Sequence, residues 1–239
     1  MEKAPPYVIF MSDLHLGAKT PHLIDKFESF MGAHGPKADS IFILGDLFDL
    51  YLGQNDQRPS VKKIERILAQ TAQHTQIFLQ RGNRDFLLDQ AFFKRTGTTC
   101  LNDESLIDIF NRPMLLAHGD TFCTLDIDYQ KMRRLLHHKL GRKFPNWLPI
   151  KLKIYLATQI HQKGRQKMQK KPPEIFEENP LYLENLAAKQ DFEFLIFGHT
   201  HQPGYRRYAG RHGFVLADWR EHGYALMFNA HHQWQSLII

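Results

Sequence analysis

The sequence predicts an α/β core interrupted by a basic, helical insertion. Three features carry that expectation. Short apolar runs alternate with helix-like stretches in the first half, helix-like sequence follows residue 123, and strand-like segments return from residue 194. YVIFMS (7–12), SIFILG (40–45), TQIFLQ (75–80) and RPMLLAH (112–118) have strand length and each ends at a polar or glycine turn. Such near-continuous apolar strands suit a sheet covered on both faces. Between the first three lie DKFESFMGAHG (25–35) and PSVKKIERILAQTAQ (59–73), and in the latter Val61, Ile64, Ile67 and Leu68 recur at helical spacing. Residues 124–171 read as helices broken near FPNWLP, and 172–190 run from PPEIF into LYLENLAAKQ. After FLIFG (194–198), YRRYA, GFVLAD, YALMFN and WQSLII are separated by turn residues and suggest antiparallel strands. The expected division is a core of 1–123 with 191–239, and an insertion of 124–190.

At 239 residues and 43% hydrophobic content the chain is long enough for one well-buried domain. Its apolar runs fall far short of the roughly 20 residues that span a bilayer. MEKAPPYVIF lacks the profile of a signal peptide, so a cytoplasmic location is expected. Cys100 and Cys123 read as small buried hydrophobes rather than a redox pair. The net charge of +6 is unevenly placed: residues 131–171 hold thirteen Lys or Arg and no Asp or Glu, which leaves the remainder net acidic. That asymmetry points to an anionic partner on the side of the insertion, whether nucleic acid, membrane surface or charged substrate.

Polar residues collect where the strands stop. SDLH (12–15) closes the first, GDLFD (45–49) the second, GNRD (82–85) the third, HGD (118–120) the fourth, and GHTH (198–201) the strand after the insertion. Ligands of open α/β sheets bind beyond the carboxyl ends of strands, so these five turns are expected to converge. Asp13, His15, Asp46, Asn83, His118, His199 and His201 then form a metal-ligating set. Carboxylate, imidazole and amide oxygen together suit Mn²⁺, Fe²⁺ or Zn²⁺ better than Ca²⁺, which prefers oxygen alone. Seven ligands exceed the need of one ion, and two ions bridged by Asp46 fit the count. Singly, each motif has a plainer reading, such as Asp13 capping the next helix or Asn83 in a left-handed turn. All five in order at strand ends favour the metal site. His137, His138, His231 and His232 read as surface or lipid-facing residues.

In this motif series the chain resembles the calcineurin-like metallophosphoesterases, whose DxH, GD, GN, H and GHxH are matched in order by Asp13 and His15, Asp46, Asn83, His118, and His199 with His201. The resemblance implies a four-layered α/β sandwich with two divalent metal ions. It places Asp13, His15, Asp46 and His201 on one ion, and Asp46, Asn83, His118 and His199 on the other. ILGDLFD, RGNRDFLL and HGDTFCTLDIDYQ are similar to the UDP-2,3-diacylglucosamine hydrolases of Gram-negative lipid A synthesis. Those are peripheral membrane enzymes, usually Mn²⁺-dependent, that cleave a pyrophosphate to give UMP and 2,3-diacylglucosamine 1-phosphate. Their helical insertion, at the position of 124–190, holds the acyl chains.

The resemblance thus implies a UDP-linked glycolipid substrate, the cytoplasmic face of an anionic inner membrane, no nucleic acid and no obligate protein partner. It carries over Asn83, Arg84 and His118 as catalytic residues and Asn83, Arg84, Asp126 and His199 as substrate contacts. In HQKGRQKMQKK (161–171), where the family has small polar residues, Gln162, Gln166 and Lys170 take the corresponding places. Arg84 stands where related sites have a histidine. It cannot donate a proton near neutral pH, and beside a divalent cation it is repelled unless an anion lies between them. A pyrophosphate supplies that anion, and its phosphate leaving group needs no strong proton donor. Arg84 is therefore expected to position the pyrophosphate and stabilise its developing charge.

The basic segment interleaves its cations with Leu135, Leu140, Phe144, Trp147, Leu152, Tyr155 and Ile160, a composition suited to helices on an anionic bilayer. The same leucines could instead form a small core beneath a solvated lysine face. A nuclease would explain the charge but not the aliphatic density. A phosphodiesterase for another nucleotide or phospholipid, and a catalytically silent scaffold, are the remaining alternatives.

Overall fold

Each central strand buries both of its faces, and the two faces meet different partners. The computed structural model describes residues 5–138, 148–157, 159 and 171–239. The first sheet contains β1 (Tyr7–Met11), β2 (Ser40–Leu44), β3 (Gln76–Gln80) and β4 (Thr99–Cys100), which run parallel. The second contains β5 (Glu104–Ile109), β6 (Arg112–Ala117), β7 (Phe194–Phe197), β8 (Gly204–Tyr208) and β9 (Arg211–Val215), in the order β5-β6-β7-β9-β8. Two further strands, β10 (Tyr224–Asn229) and β11 (Trp234–Ile238), return to the first sheet, β10 pairing antiparallel with β1.

Side chains alternate across a strand with period two, so each strand contributes to two cores. Ile9, Met11, Ile41, Ile43, Ile77 and Leu79 pack outward against α1 (Pro21–His34), α2 (Pro59–Thr71) and α3 (Gln90–Thr96). The intervening Val8, Phe10, Phe42 and Leu44 face inward and meet Met114, Leu116, Phe194 and Ile196 of the second sheet. Leu115, Ala117, Leu195 and Phe197, on that sheet's far side, pack with Leu183, Leu186 and Ala187 of a helix at Pro180–Lys189. The architecture is a four-layered α/β sandwich, and its fourth layer comes from within the segment between β6 and β7.

That segment also holds α4 (Ile127–His137), a helical stretch at 150–157 and a 3₁₀ turn at Pro173–Phe176, where the PPEIF sequence lies. With these in chain order, the outer helix Pro180–Lys189 is α5. Among the described residues no helix is long and apolar enough to cross a membrane.

The strands expected from SIFILG, TQIFLQ and RPMLLAH are present, and the structure adds α3, β4 and β5. α3 is only seven residues long, but its ends are specified: Asp89 accepts the amide of Phe92, and Gly97 closes the helix in the left-handed region at φ 67°. β5 forms a hairpin with β6 through Phe110 and Asn111, both at positive φ. The four C-terminal strands divide between sheets, and β9 runs parallel to β7 rather than only antiparallel to β8.

Phe10 has no exposed surface and stacks on Phe42 with ring centroids 5.2 Å apart between the sheets. Phe10→Ala should lower the unfolding free energy by about 3–5 kcal/mol in chemical denaturation. A loss under about 1 kcal/mol would contradict this placement.

Candidate metal centre

The five motif turns meet at the C-terminal edges of both sheets, held by backbone hydrogen bonds. After β1 and β2, the amides of Asp13 and His15 donate to the carbonyls of Gly45 and Asp46 at 3.2 and 3.0 Å. After β6 and β7, the amide of Gly198 donates to the His118 carbonyl at 2.9 Å. The two edges are joined in turn: the His199 amide donates to Asp13 Oδ2 at 2.7 Å, and His118 Nδ1 donates to the Leu44 carbonyl at 2.9 Å. Two glycines allow the approach. A Cβ on Gly82 would lie 2.1 Å from Asp46 Oδ1, and one on Gly198 would lie 2.2 Å from Asp13 Oδ2.

Asp13, His15, Asp46, His199 and His201 all adopt positive φ, between 48° and 66°. This conformation is costly for residues with a Cβ and tends to persist at functional sites, where surrounding structure enforces it. It turns the side chains into a common space. His201 Nε2 is 3.2 Å from Asp13 Oδ1 and 3.4 Å from His15 Nε2. Asp46 faces both sides, with Oδ2 3.8 Å from His15 Nδ1 and Oδ1 3.9 Å from His118 Nε2. Asn83 Oδ1 lies 3.2 Å from His118 Nε2, and the His199 ring lies 5.0 Å from that of His118. The structure therefore brings all seven sequence-derived residues together. Two groups of them have ligand atoms mutually within 4.8 Å: Asp13, His15 and His201, and Asp13, Asp46 and His118.

This arrangement fits divalent cations on its own chemistry. Two imidazole Nε2 atoms converge on one carboxylate oxygen, and His15 Nδ1 is buried without a hydrogen-bond partner. A buried polar atom in that condition calls for an ion or water. The protonation pattern is equally divided. Burial, followed by the charge of Arg84, pushes His15 down to about 3, while burial and the charge of His118 push His199 down to about 4. Burial opposes the charge on His118 and His201 as well. Asp46 and Asp13 nevertheless raise His118 to about 9, and hydrogen bonds to Asp13 and Asp218 raise His201 to about 9. Burial lifts Asp46 to about 7, whereas Asp13 is held below the usual carboxylate range despite its burial, through its hydrogen bond to His201 and the charge of His118.

Arg84 already has an anion beside it. Its Nη1 is 2.8 Å from Asp49 Oδ1, its Nε is 3.6 Å from Asp46 Oδ2, and its backbone amide donates to Asp46 Oδ1 at 2.9 Å. Asp126 caps α4 by accepting the Tyr129 amide at 3.2 Å and takes an ion pair from Lys171 Nζ at 2.7 Å. Gln162, Gln166 and Lys170, with Leu140, Phe144, Trp147 and Ile160, lie outside the described residues. His137, read from sequence as a surface or lipid-facing residue, is mostly buried and stacks on Phe86 at 6.0 Å.

Several carboxylates in the motifs do work that sequence reading missed. Asp85 accepts the amides of Gly82, Leu47 and Phe48 and so clamps the GNRD turn to the GDLFD turn. Asp120 receives the Tyr129 hydroxyl at 2.7 Å and Arg133 Nε at 2.6 Å, which anchors α4 to the HGD turn, and the Tyr129 ring stacks on His199 at 6.1 Å. Asp49, Asp85 and Asp120 are the last letters of GDLFD, GNRD and HGD, and that shared position was the available signal.

A four-layered sandwich with Asp, Asn and His converging at its strand ends is the framework of a metal-dependent phosphoesterase. The profile of the calcineurin-like phosphoesterase family matches residues 6–203, and the chain belongs to that family. It is 36% identical over 213 residues to the UDP-2,3-diacylglucosamine hydrolase of Haemophilus influenzae (strain PittGG), covering 89% of this chain and 90% of that one. It is 39% identical over 197 residues to the protein of the same name from Coxiella burnetii (strain RSA 331 / Henzerling II), covering 82% and 81%. With the same-named protein of Pseudomonas putida (strain KT2440 among its designations) it shares 34% identity over 224 residues, 92% and 93% of the two chains. A solved archaeal phosphodiesterase aligns over 98% of this chain and 99% of its own with a TM-score of 0.51 at 10% identity, a likeness of fold alone.

Gly82→Ala should force Asp46 and the GNRD turn apart and lower metal affinity by at least about tenfold. Metal titration by calorimetry measures this, and unchanged affinity would show that the turn tolerates a side chain. His137 provides a pH test away from the ligands. Burial and the charge of Arg133 lower it from 6.5 to about 4. Between those values the unfolded chain binds a proton there that the folded chain does not, so stability falls as pH falls through the window and levels off below it. His137→Phe should flatten that slope in urea unfolding by ~1–3 kcal/mol between neutral pH and pH 4.

Proposed function

We propose that this chain hydrolyses the pyrophosphate of UDP-2,3-diacylglucosamine, giving UMP and 2,3-diacylglucosamine 1-phosphate, with Mn²⁺ the preferred ion. One observation carries the reading. The match to UDP-2,3-diacylglucosamine hydrolases extends over 213 residues, and so leaves fewer residues unmatched than the insertion contains. It therefore includes part of the segment expected to distinguish a lipid substrate, as well as the site. Divalent ions bound to Asp13, His15, Asp46, Asn83, His118, His199 and His201 would activate water and stabilise charge on the phosphoryl oxygens.

The protein's own contribution is orientation and charge. His118 donates from Nδ1 to the Leu44 carbonyl at 2.9 Å, which fixes the ring and directs Nε2 into the site. Arg84 is held by Asp49 beside Asp46, a fixed cation at the edge of the centre with its side chain about one-third exposed. Such a guanidinium suits the pyrophosphate oxygens and strengthens its contact as charge develops on them. Because phosphate is itself the leaving group, the absence of a histidine at position 84 carries no penalty.

The described part of the insertion favours a lipid over a nucleic acid. In the helical stretch at 150–157 the pattern of a soluble helix is reversed. Lys153 is buried and donates to the Leu52 carbonyl at 2.8 Å, whereas Leu152, Tyr155 and Leu156 are exposed. α4 likewise exposes Met132 and Leu135, the latter at 71%. Exposed aliphatic groups on a segment rich in Lys and Arg suit acyl chains and an anionic membrane surface.

Incubation with Mn²⁺ and the UDP-lipid should release UMP, and a chelator should abolish the release. Arg84→Ala should lower kcat/KM by about 10²–10³ while leaving Mn²⁺ stoichiometry intact. Equal turnover of ATP or single-stranded DNA, or an unchanged kcat/KM in the variant, would overturn the reading.

A further inference from the structure

Asp218 belongs to none of the five motif turns. It lies just beyond β9, where the Leu216 amide donates to the Phe197 carbonyl at 2.7 Å and the Trp219 amide donates to the Asp13 carbonyl at 3.0 Å. These two bonds fasten the loop to the ends of β7 and β1 and set Asp218 Oδ2 3.2 Å from His201 Nδ1. The opposite nitrogen of the same ring, Nε2, points at Asp13 Oδ1 and His15 Nε2.

We propose that Asp218 is the positioning residue for one of the two metal positions, that of Asp13, His15 and His201. By accepting the Nδ1 proton it holds His201 in the tautomer whose Nε2 lone pair faces the ion, and it makes that nitrogen a stronger donor. The proposal rests on the two-ion reading of the site.

The two halves of the centre are oriented by different means. His118 is tied to a backbone carbonyl on β2, an acceptor that no side-chain replacement removes. His201 depends on a side chain from a loop, and the same Oδ2 also receives Arg220 Nε at 2.7 Å. Arg220 is 73% exposed, so it restrains the carboxylate from the solvent side without reaching the centre. Loss of Asp218 should therefore weaken one ion selectively.

Titration of Mn²⁺ into the metal-free full chain, followed by calorimetry and by the electron paramagnetic resonance of coupled Mn²⁺ pairs, tests this without substrate. Asp218→Ala should bind one ion about 10–100-fold more weakly, leave the other within about twofold, and lose the coupled-pair signal at stoichiometric Mn²⁺. Asp218→Asn, whose amide oxygen can still accept the Nδ1 proton, should recover most of the affinity. Adding Asp218→Ala to His201→Ala should cause no further loss, because both remove the same interaction. The proposal is overturned if Asp218→Ala binds both ions like wild type, weakens both alike, adds to His201→Ala, or only lowers the melting temperature of the metal-free chain. Fewer than two ions on the wild-type chain would remove the two-ion reading itself, a result distinct from any of these.

Discussion

One carboxylate joins the two sheets. Asp13 Oδ2 accepts the Ser12 hydroxyl from its own turn and the His199 amide from the turn after β7, each at 2.7 Å, while Oδ1 faces His201. Between the sheets most contacts are apolar and indifferent to small shifts along the strand direction, joined by two further polar links, from Gln80 Nε2 to the Leu116 carbonyl and from His118 Nδ1 to the Leu44 carbonyl, each at 2.9 Å. Directional bonds of this kind set the register, the charge-assisted one from the His199 amide to Asp13 most strictly, because a displacement of an ångström breaks it. The centre is thus a by-product of how the sandwich closes, and also part of what aligns it. The arrangement demands glycine at 198, since any Cβ there would occupy the position of the Asp13 carboxylate.

The same dependence separates what was legible in the sequence from what was not. The convergence of the seven motif residues could be read because it follows from residue type and from their place at strand ends. The second sheet could not be read from periodicity. Near-continuous apolar strands require that both faces be covered, but Phe10 and Phe42 would look the same beneath a helix as beneath Met114 and Leu116. That step came from family resemblance. α3 was readable from Asp89 and Gly97, but seven residues give too short a run for helical periodicity to show. Asp218 was beyond reach, because a carboxylate's role depends on which imidazole it meets in space. The left-handed backbone at five motif residues was hidden for a similar reason, being imposed by tertiary structure on residues that do not prefer it.

Arg84 shows how far residue chemistry can lead. The sequence reading required an anion between this guanidinium and a cation, and assigned that role to substrate. In the structure Asp49 and Asp46 already lie beside the guanidinium. The two accounts are compatible, since a guanidinium has five N–H donors in a fixed fork and Asp49 engages one end of it. Pre-paired in this way, Arg84 would lose little side-chain entropy on meeting a phosphate, as the proposed function requires. Asp49 itself is nearly half exposed, so its hold on Arg84 is screened by solvent.

Four carboxylates are buried around the centre, and the protein answers them unequally. Asp13 has a hydroxyl, an amide and an imidazole; Asp85 has three backbone amides; Asp120 has a phenol and the Arg133 guanidinium. Asp46, among the described residues, accepts one hydrogen bond, from the Arg84 amide. Burial raises Asp85 too, but its amides are directed at both of its oxygens. Asp46 is left with its pKa lifted to about 7 and its oxygens turned toward His15 and His118. A buried carboxylate with so few donors is unfavourable in a finished structure unless a cation completes its surroundings. By the count of donors alone, Asp46 is where positive charge is most needed, with one oxygen toward His15 and the other toward His118.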